Sequence, residues 1–463
     1  MFIHGSKIHF LGICGTAMAG VAAALKERGC LVTGSDANVY PPMSTYLAER
    51  GIHIQTPYAA SNLAHRPDLV VVGNAISRGN PELEEALDQR LPYTSLPGLL
   101  HDHFLPGKRN TVVTGTHGKT TTTALVTWIL ETAGKQPSYL IGGIPVNLAQ
   151  GACFRDGPVA VMEGDEYDTA FFDKRPKFLH YLPEVVVINN IEYDHADIYE
   201  NLDAILLAFR RLVQIVPRSG LIVANGDDPH VRQVLGGALS RVIFVGCDET
   251  AAPRIADFQA AGQVSRFKLG GMTVEIPLAG LFNVRNAAMA VVVSRHLEIP
   301  DSTIQKALSS FRGVRRRQEM RAVVNDITLV DDFGHHPTAI RETLIALRDR
   351  YPGARLWAFF EPRSNTTRRA VFQKELPEAL ALADGVFVGQ VARLDQLPPE
   401  NRLDPERVIA DILAHGKPAY YMPSVDEIVT KAVTLLRSGD VAVIFSNGSF
   451  DGIHEKLIHA LER

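Results

Sequence analysis

The stretch Thr111-Val-Val-Thr-Gly115-Thr-His-Gly118-Lys-Thr-Thr-Thr-Thr123 decides how the rest of the chain is read. Its β-branched opening, Thr111 to Thr114, predicts a buried strand. The pattern breaks at Gly115, and a helix is predicted from Thr120 to about Ala133, with Gly134 at its far end. Strand, glycine turn, Lys-Thr and helix together form a cradle for a triphosphate. Backbone N–H groups and the positive end of the helix face the anion, Lys119 adds a point charge, and Thr120 offers a hydroxyl to Mg²⁺. The full consensus G-x-x-x-x-G-K-[ST] has glycine where this chain has Val113, which leaves the shorter form Gly115-Thr116-His117-Gly118-Lys119-Thr120-Thr121. The plain alternative for Gly-Lys-Thr is an ordinary helix start; the strand before it and the helix after it favour phosphate.

Upstream, Lys7-Ile-His-Phe-Leu11 reads as a strand, followed by Gly12-Ile-Cys-Gly15-Thr16 and a helical pattern to Arg28. A second strand, Cys30 to Gly34, ends in Ser35-Asp36. This is a βαβ unit with a glycine turn, yet the glycines are spaced G-x-x-G where the dinucleotide fingerprint has G-x-G. A phosphate-ribose ligand other than a nicotinamide cofactor is therefore expected, against the alternative that the glycines merely close a turn. A further strand, Asp68 to Gly73, delivers Asn74-Ala-Ile-Ser77-Arg78-Gly79-Asn80 at its carboxyl end, where open α/β sheets bind ligands. Arg78 there either pairs with a diphosphate or is solvated.

Downstream, the strand Val159 to Met162 leads into Glu163-Gly-Asp165-Glu166-Tyr-Asp168. Packed carboxylates repel one another unless a cation compensates, which a divalent metal beside a triphosphate would do; the alternative is an acidic surface loop. The apolar strand Glu184 to Asn190 precedes Ile191-Glu192-Tyr-Asp194-His195-Ala-Asp197, where His195 is either a metal ligand or structural. Asn283 and Asn286 open a helix as caps or as readers of a purine. In the last third, the basic run Val314-Arg-Arg-Arg317 precedes the strand and loop Thr328-Leu-Val-Asp331-Asp332-Phe-Gly-His335-His336-Pro337. Adjacent histidines rarely converge on one metal, and no third ligand stands at helical spacing. Polar loops after strand ends, Glu361-Pro-Arg363-Ser364-Asn365-Thr366 and Ser446-Asn-Gly448, are where a substrate pocket is expected.

The whole chain has 463 residues, long enough for two to four domains, with ordinary globular composition at 46% hydrophobic and 21% charged. Lys+Arg is 47 and Asp+Glu 51, a balance of 47 − 51 = −4, which argues against nucleic acid or an anionic membrane as the main partner. Cys14, Cys30, Cys153 and Cys247 lie far apart and read as reduced core residues. With no signal-peptide pattern and no membrane-length apolar run, a soluble cytoplasmic protein is expected.

Gly115-Thr-His-Gly-Lys-Thr, Glu163-Gly-Asp-Glu-Tyr-Asp, Asn190-Ile-Glu-Tyr-Asp-His and Asp331-Asp-Phe-Gly-His-His-Pro occur in one order along the chain. That ordered set resembles the Mur ligases, the ATP-dependent amide-forming enzymes of peptidoglycan metabolism. Ser35-Asp-Ala-Asn-Val-Tyr-Pro-Pro-Met-Ser44, Gly73 to Asn80, Glu361 to Thr366 and Ser446 to Gly448 are similar to the branch that joins a murein tripeptide to UDP-N-acetylmuramate. The resemblance implies an α/β fold of three domains: a Rossmann-like UDP-sugar domain (1–107), a central P-loop ATPase domain (108–313) and a Rossmann-like C-terminal domain for the amine substrate (314–463). The partners it implies are UDP-N-acetylmuramate, ATP and the tripeptide L-alanyl-γ-D-glutamyl-meso-diaminopimelate, with Mg²⁺, no nucleic acid, no membrane, and a monomer or weak dimer. The alternative is the branch that adds free L-alanine, whose usual Pro-His-Arg phrase is replaced here at Glu361 to Thr366.

By position, the resemblance gives Lys119 the β/γ-phosphates, and Thr120, Glu163 and His195 the metal. Asn283 and Asn286 would hold adenine, and Arg317 and Asp332 phosphate and ribose. Gly15, Thr16, Ser35, Asp36, Ser77, Arg78 and Gly79 would line the UDP site, with Asp165 and Arg175 near muramate. His335 or His336 would serve the amine, and Arg363, Ser364 and Asn365 the peptide carboxylates. One departure stands out. Several members carry a carbamylated lysine downstream of the histidine, and here that neighbourhood reads Ala208-Phe-Arg210-Arg211.

Overall fold

Strand and helix alternate along most of the chain, and each run of strands closes into its own sheet. The computed structural model describes residues 4–37, 39–40 and 43–463. Asn38, Pro41 and Pro42 of the Ser35 to Ser44 phrase lie outside the described residues. The chain forms two compact units. The first comprises Met1–Glu192, Leu202–Ile255 and Asn286–Phe311; the second comprises Tyr193–Asn201, Ala256–Arg285 and Arg312–Arg463.

In the first unit, five parallel strands run in the order Ile54–Gln55, Leu31–Ser35, Lys7–Leu11, Leu69–Val72, Tyr93–Ser95. Chain order reverses beside Lys7–Leu11, so the loops after Leu11 and Val72 face one crevice at the carboxyl ends of adjacent strands. There Gly73 N donates to Leu11 O at 3.0 Å, an approach with no room for a side chain at Gly73. A second sheet of seven strands is ordered Arg241–Val245, Leu221–Asn225, Val185–Ile188, Arg109–Thr114, Val159–Glu163, Ser138–Leu140, Ala152–Cys153; only the last pair is antiparallel. Strand Val185–Ile188 is apolar throughout, and it and its neighbour Leu221–Asn225 are buried along their whole length, as parallel strands covered by helices require.

The second unit holds a three-stranded sheet (Ile255–Ala261, Val264–Leu269, Met272–Ile276) and a six-stranded one. The latter runs Glu319–Val324, Ile327–Asp332, Val441–Phe445, Leu356–Phe360, Gly385–Val388, Ala419–Tyr421, parallel except for its first pair. Strand Leu356–Phe360 shows how the core is divided. Leu356, Ala358 and Phe360 join the helices Pro337–Arg350 and Glu375–Leu380 on one face, while Trp357 and Phe359 join Val425–Leu435 and Ile453–Leu461 on the other. The α/β class with three parallel-rich sheets is as expected from the sequence.

Several local expectations shift. The predicted strand from Cys30 is Leu31–Ser35, and the cradle helix begins at Lys119 rather than Thr120, ending at Thr132. Cys30 and Cys153 are buried, but Cys14 and Cys247 are half-buried, because each sits in a loop just past a strand end.

Candidate functional site

Strand Arg109–Thr114 ends in the centre of the seven-stranded sheet, and the turn that follows is held open by glycines with φ of 124° at Gly115 and 81° at Gly118. A Cβ at Gly115 would stand 2.9 Å from Asn190 N and 3.0 Å from Asn190 O. The approach is this close because Asn189 and Asn190, at the end of the neighbouring strand, clasp the turn. Thr116 N donates to Asn190 O at 3.1 Å, His117 N to Asn190 Oδ1 at 2.7 Å, and Asn190 Nδ2 to His117 O at 3.2 Å. Thr116 is also tied to Glu192, whose N–H donates to its hydroxyl at 2.8 Å; the His117 ring stands 3.5 Å from the Glu192 carboxylate. Gly115→Ala is therefore expected to lower stability by about 1–3 kcal/mol through strain at a left-handed position against backbone, and to weaken nucleotide binding. A thermal melt with and without ATP checks both effects.

Lys119 opens helix Lys119–Thr132, and its Nζ lies 2.7 Å from Glu166 Oε2, with both side chains nearly buried. Burial acts most strongly on this ammonium and opposes its charge. Glu166, Asp165 and Glu163 outweigh it and hold the Lys119 pKa above its ordinary value. Thr120 Oγ1 donates to Glu163 Oε1 at 2.9 Å, and Gly142 N donates to Glu163 Oε2 at 2.6 Å. Thr121 is buried behind them. The acidic run is no surface loop: Glu166 and Asp168 are buried, and Lys119, Lys177 (2.6 Å from Asp165) and Lys174 (2.6 Å from Asp168) balance its charges. Lys119, Thr120 and Glu163 are thus brought together at the carboxyl ends of two adjacent strands, Val113 being in register with Glu163. Thr120 Oγ1 and Glu163 Oε1 are hard oxygen donors of the type Mg²⁺ takes, and they fit such an ion beside the cradle.

Other predicted residues have settled neighbours. In the N-terminal sheet, Gly15 precedes helix Thr16–Glu27, and Asp36 Oδ2 accepts from Cys14 N at 2.9 Å. Ser35 is fully buried, with its hydroxyl given to Glu82. Ser77 O accepts from Asn80 N, while Arg78 is exposed and forms a two-point pair with Glu84, which also takes Gly79 N at 2.6 Å. Arg175 is likewise forked onto Asp173 at 2.9 and 2.7 Å. Asn283 and Asn286 lie inside helix Leu281–His296, nearly buried, so they are not its caps; Asn283 Nδ2 donates to Ala279 O at 2.8 Å.

In the second unit, Asp332 is buried and accepts from Gln318 N (2.9 Å) and Gly334 N (2.7 Å). Burial, ahead of the opposing Arg317 charge, pushes its carboxyl pKa up. Arg317 lies over the Phe333 ring at 5.0 Å. His335 Nε2 stands 3.6 Å from Asp194 Oδ2. His336 caps helix Pro337–Arg350: its Nδ1 accepts from Thr338 N at 3.2 Å, and Nε2 meets Tyr193 O at 3.3 Å. His195, with φ 55°, belongs to this unit too. Asn365 Nδ2 donates to Asp197 at 2.7 Å, Ser364 Oγ pairs with Thr367 Oγ1 at 2.8 Å, and Arg363 stands 3.4 Å from Glu361, which accepts from Ser446 Oγ at 2.5 Å.

Sequence reasoning missed the Asn189–Asn190 clasp, the Lys119–Glu166 pair and the Asp194–Thr366 bond of 2.5 Å. A polar doublet ending an apolar strand was the one signal available for the first; the other two join residues far apart in sequence.

The chain is similar to known proteins along nearly its whole length. The Mur ligase family catalytic domain matches residues 7–105, the Mur ligase middle domain 113–294, and the Mur ligase glutamate ligase domain 316–448. The chain is 43% identical to UDP-N-acetylmuramate–L-alanyl-γ-D-glutamyl-meso-2,6-diaminoheptandioate ligase of Haemophilus influenzae, covering 98% of this chain and 99% of that one. It is 32% identical to UDP-N-acetylmuramate–L-alanine ligase of Aromatoleum aromaticum, covering 98% of each. Among solved structures, a murein peptide ligase from Psychrobacter arcticus superposes with a TM-score of 0.77 at 36% identity, over 99% of both chains.

Proposed function

The chain belongs to the Mur ligase family, and from that premise we propose that it joins L-alanyl-γ-D-glutamyl-meso-diaminopimelate to UDP-N-acetylmuramate at the expense of ATP, in the cytoplasm, as a step of peptidoglycan recycling. The observation that carries the chemistry is Lys119, Thr120 and Glu163 converging on a glycine-bounded anion cradle. The choice of peptide over free alanine follows the relatives: identity is 43% to the tripeptide ligase against 32% to the alanine ligase.

A carboxylate is a poor acyl donor because its leaving group would be oxide. Transfer of the ATP γ-phosphoryl to the muramate carboxylate gives an acyl phosphate, which the alanine amine of the tripeptide attacks with loss of phosphate. Little covalent work falls to the protein, so positioning and charge neutralisation dominate. Lys119 neutralises the transferring group, and Thr120 and Glu163 would hold Mg²⁺, which would supply further charge compensation. We assign residues 1–107 to the UDP-sugar, 108–313 to ATP and 314–463 to the amine substrate. Gly15, Thr16, Asp36 and Ser77 to Gly79 serve the first, and Asn283, Asn286, Arg317 and Asp332 the nucleotide. Arg363, Ser364 and Asn365 serve the peptide carboxylates. An ammonium cannot attack, so the amine must lose a proton. His335 or His336 takes that role: the His336 ring nitrogens face Thr338 N and Tyr193 O, and those of His335 face Phe333 O at 3.3 Å and Asp194 Oδ2 at 3.6 Å.

Purified protein with Mg²⁺, ATP and UDP-N-acetylmuramate is expected to release ADP and a longer muropeptide when given the tripeptide, and to turn over poorly with L-alanine. Efficient turnover with L-alanine alone would assign the chain to the alanine-adding branch instead.

A further inference from the structure

Below the glycine turn of the N-terminal sheet lies a polar cluster that the reaction leaves unused. Glu82, on helix Pro81–Asp88, is 0% exposed. Its carboxylate accepts from Ser35 Oγ, from Asn62 Nδ2 and, at 3.1 Å, from Ala59 N, while His9 Nε2 stands 3.2 Å from Oε2. His9 is also 0% exposed; its Nδ1 meets Thr33 Oγ1 at 2.8 Å, and the same hydroxyl meets His65 Nε2 at 3.2 Å. One carboxylate thus ties two adjacent strands, Lys7–Leu11 through His9 and Leu31–Ser35 through Ser35, to a helix and to the turn Ala60–Leu63.

Burying a carboxylate is costly unless its lone pairs are filled. Burial is the strongest influence on Glu82 and disfavours its charge, yet His9, Ser35, Asn62 and Ala59 together draw its pKa below the ordinary value. The consequence reaches the turn through Ser35. Its carbonyl accepts from Gly12 N at 2.8 Å and Ile13 N at 3.1 Å, and the next residue, Asp36, takes Cys14 N at 2.9 Å. Whatever fixes Ser35 fixes the shape of Gly12 to Cys14.

We propose that Glu82, acting through Ser35 and His9, is a positioning residue for the nucleoside diphosphate sugar, holding the strand end and glycine turn in the form that receives the diphosphate. This rests on the N-terminal sheet being the UDP-sugar site. A cluster that merely stabilised the fold would lower the melting temperature without a selective effect on one substrate.

The test uses the full-length enzyme. Wild type is first titrated with UDP-N-acetylmuramate by calorimetry without ATP; absence of binding there overturns the site reading, and this proposal with it. Glu82→Gln keeps the side-chain shape. Its amide oxygen can face Ala59 N and Asn62, and its NH₂ can face Ser35 and His9, both of which accept once the hydroxyl rotates and the imidazole changes tautomer. That variant is expected to keep KM for UDP-N-acetylmuramate within about 3-fold of wild type, while Glu82→Leu raises it about 10- to 100-fold with kcat and the KM for ATP little changed. Ser35→Ala, which removes one link, is expected to give an intermediate rise. Folded Glu82→Leu and Ser35→Ala variants with wild-type KM, or with the KM for ATP rising equally, overturn the proposal. Should Glu82→Leu fail to fold, an unchanged KM in Ser35→Ala suffices to overturn it.

Discussion

Lys119→Ala is expected to reduce ATP-dependent ligation by at least about 10³-fold, because a preorganised charge at the transferring group has no substitute in a water-poor site. Its geometry adds a second consequence. Glu166 is 2% exposed, and Lys119 is its ion-pair partner at 2.7 Å. Removing the lysine breaks a buried ion pair, and such a loss costs about 3–5 kcal/mol. The variant should therefore be both inactive and less stable in urea. Combining it with Glu166→Gln is expected to restore much of the stability and none of the activity, which separates the structural from the catalytic contribution of one side chain. UDP-sugar binding, assigned to the five-stranded sheet, should persist in the double variant. Turnover of either variant within about ten-fold of wild type would contradict the role given to Lys119.

The second large effect is expected at Asp194. This carboxylate is 5% exposed and accepts from Thr366 Oγ1 at 2.5 Å and His195 N at 2.7 Å, with His335 Nε2 at 3.6 Å. Burial is the largest single influence and disfavours the charge. The His335 hydrogen bond and the nearby His195, His335 and His336 overcome it and hold the Asp194 pKa well below the ordinary carboxylate value. A folded pKa below the unfolded one stabilises the protein fully above the unfolded value, near pH 4, and that contribution disappears as pH falls through the folded value. Asp194→Asn is expected to cost about 3 kcal/mol at neutral pH, and the gap from wild type should close progressively below about pH 4. Urea unfolding of both proteins at neutral and acidic pH measures that gap. A gap equal at both would mean that Asp194 is not held as an ion in the native state.

These two residues show what local pattern conveys. The strand, glycine turn and helix around Lys119 were legible because each depends on neighbours in sequence: β-branched residues for the strand, left-handed glycines for the turn, the exposed N–H groups of a helix start for the anion. Asp194 and Glu166 were visible as acids but not as buried ions, since nothing at either position names a partner 172 or 47 residues away. Arg78 and Arg175 show the same limit from the other side. The sequence offered each as a ligand contact, with solvation as the alternative for Arg78, and did not name the carboxylate onto which the fold forks it, Glu84 for Arg78 and Asp173 for Arg175.

The sequence by itself determined the α/β class, the phosphate cradle, the acidic run after strand Val159–Glu163 and the family, all features that repeat over a few residues or in fixed order. Only the tertiary structure decided which buried charges meet: Lys119 with Glu166, Asp194 with Thr366 and His335, Glu82 with Ser35 and His9. Strand order and register choose those partners. A desolvated charge is stabilised by whatever the fold brings within hydrogen-bond distance, however distant in sequence.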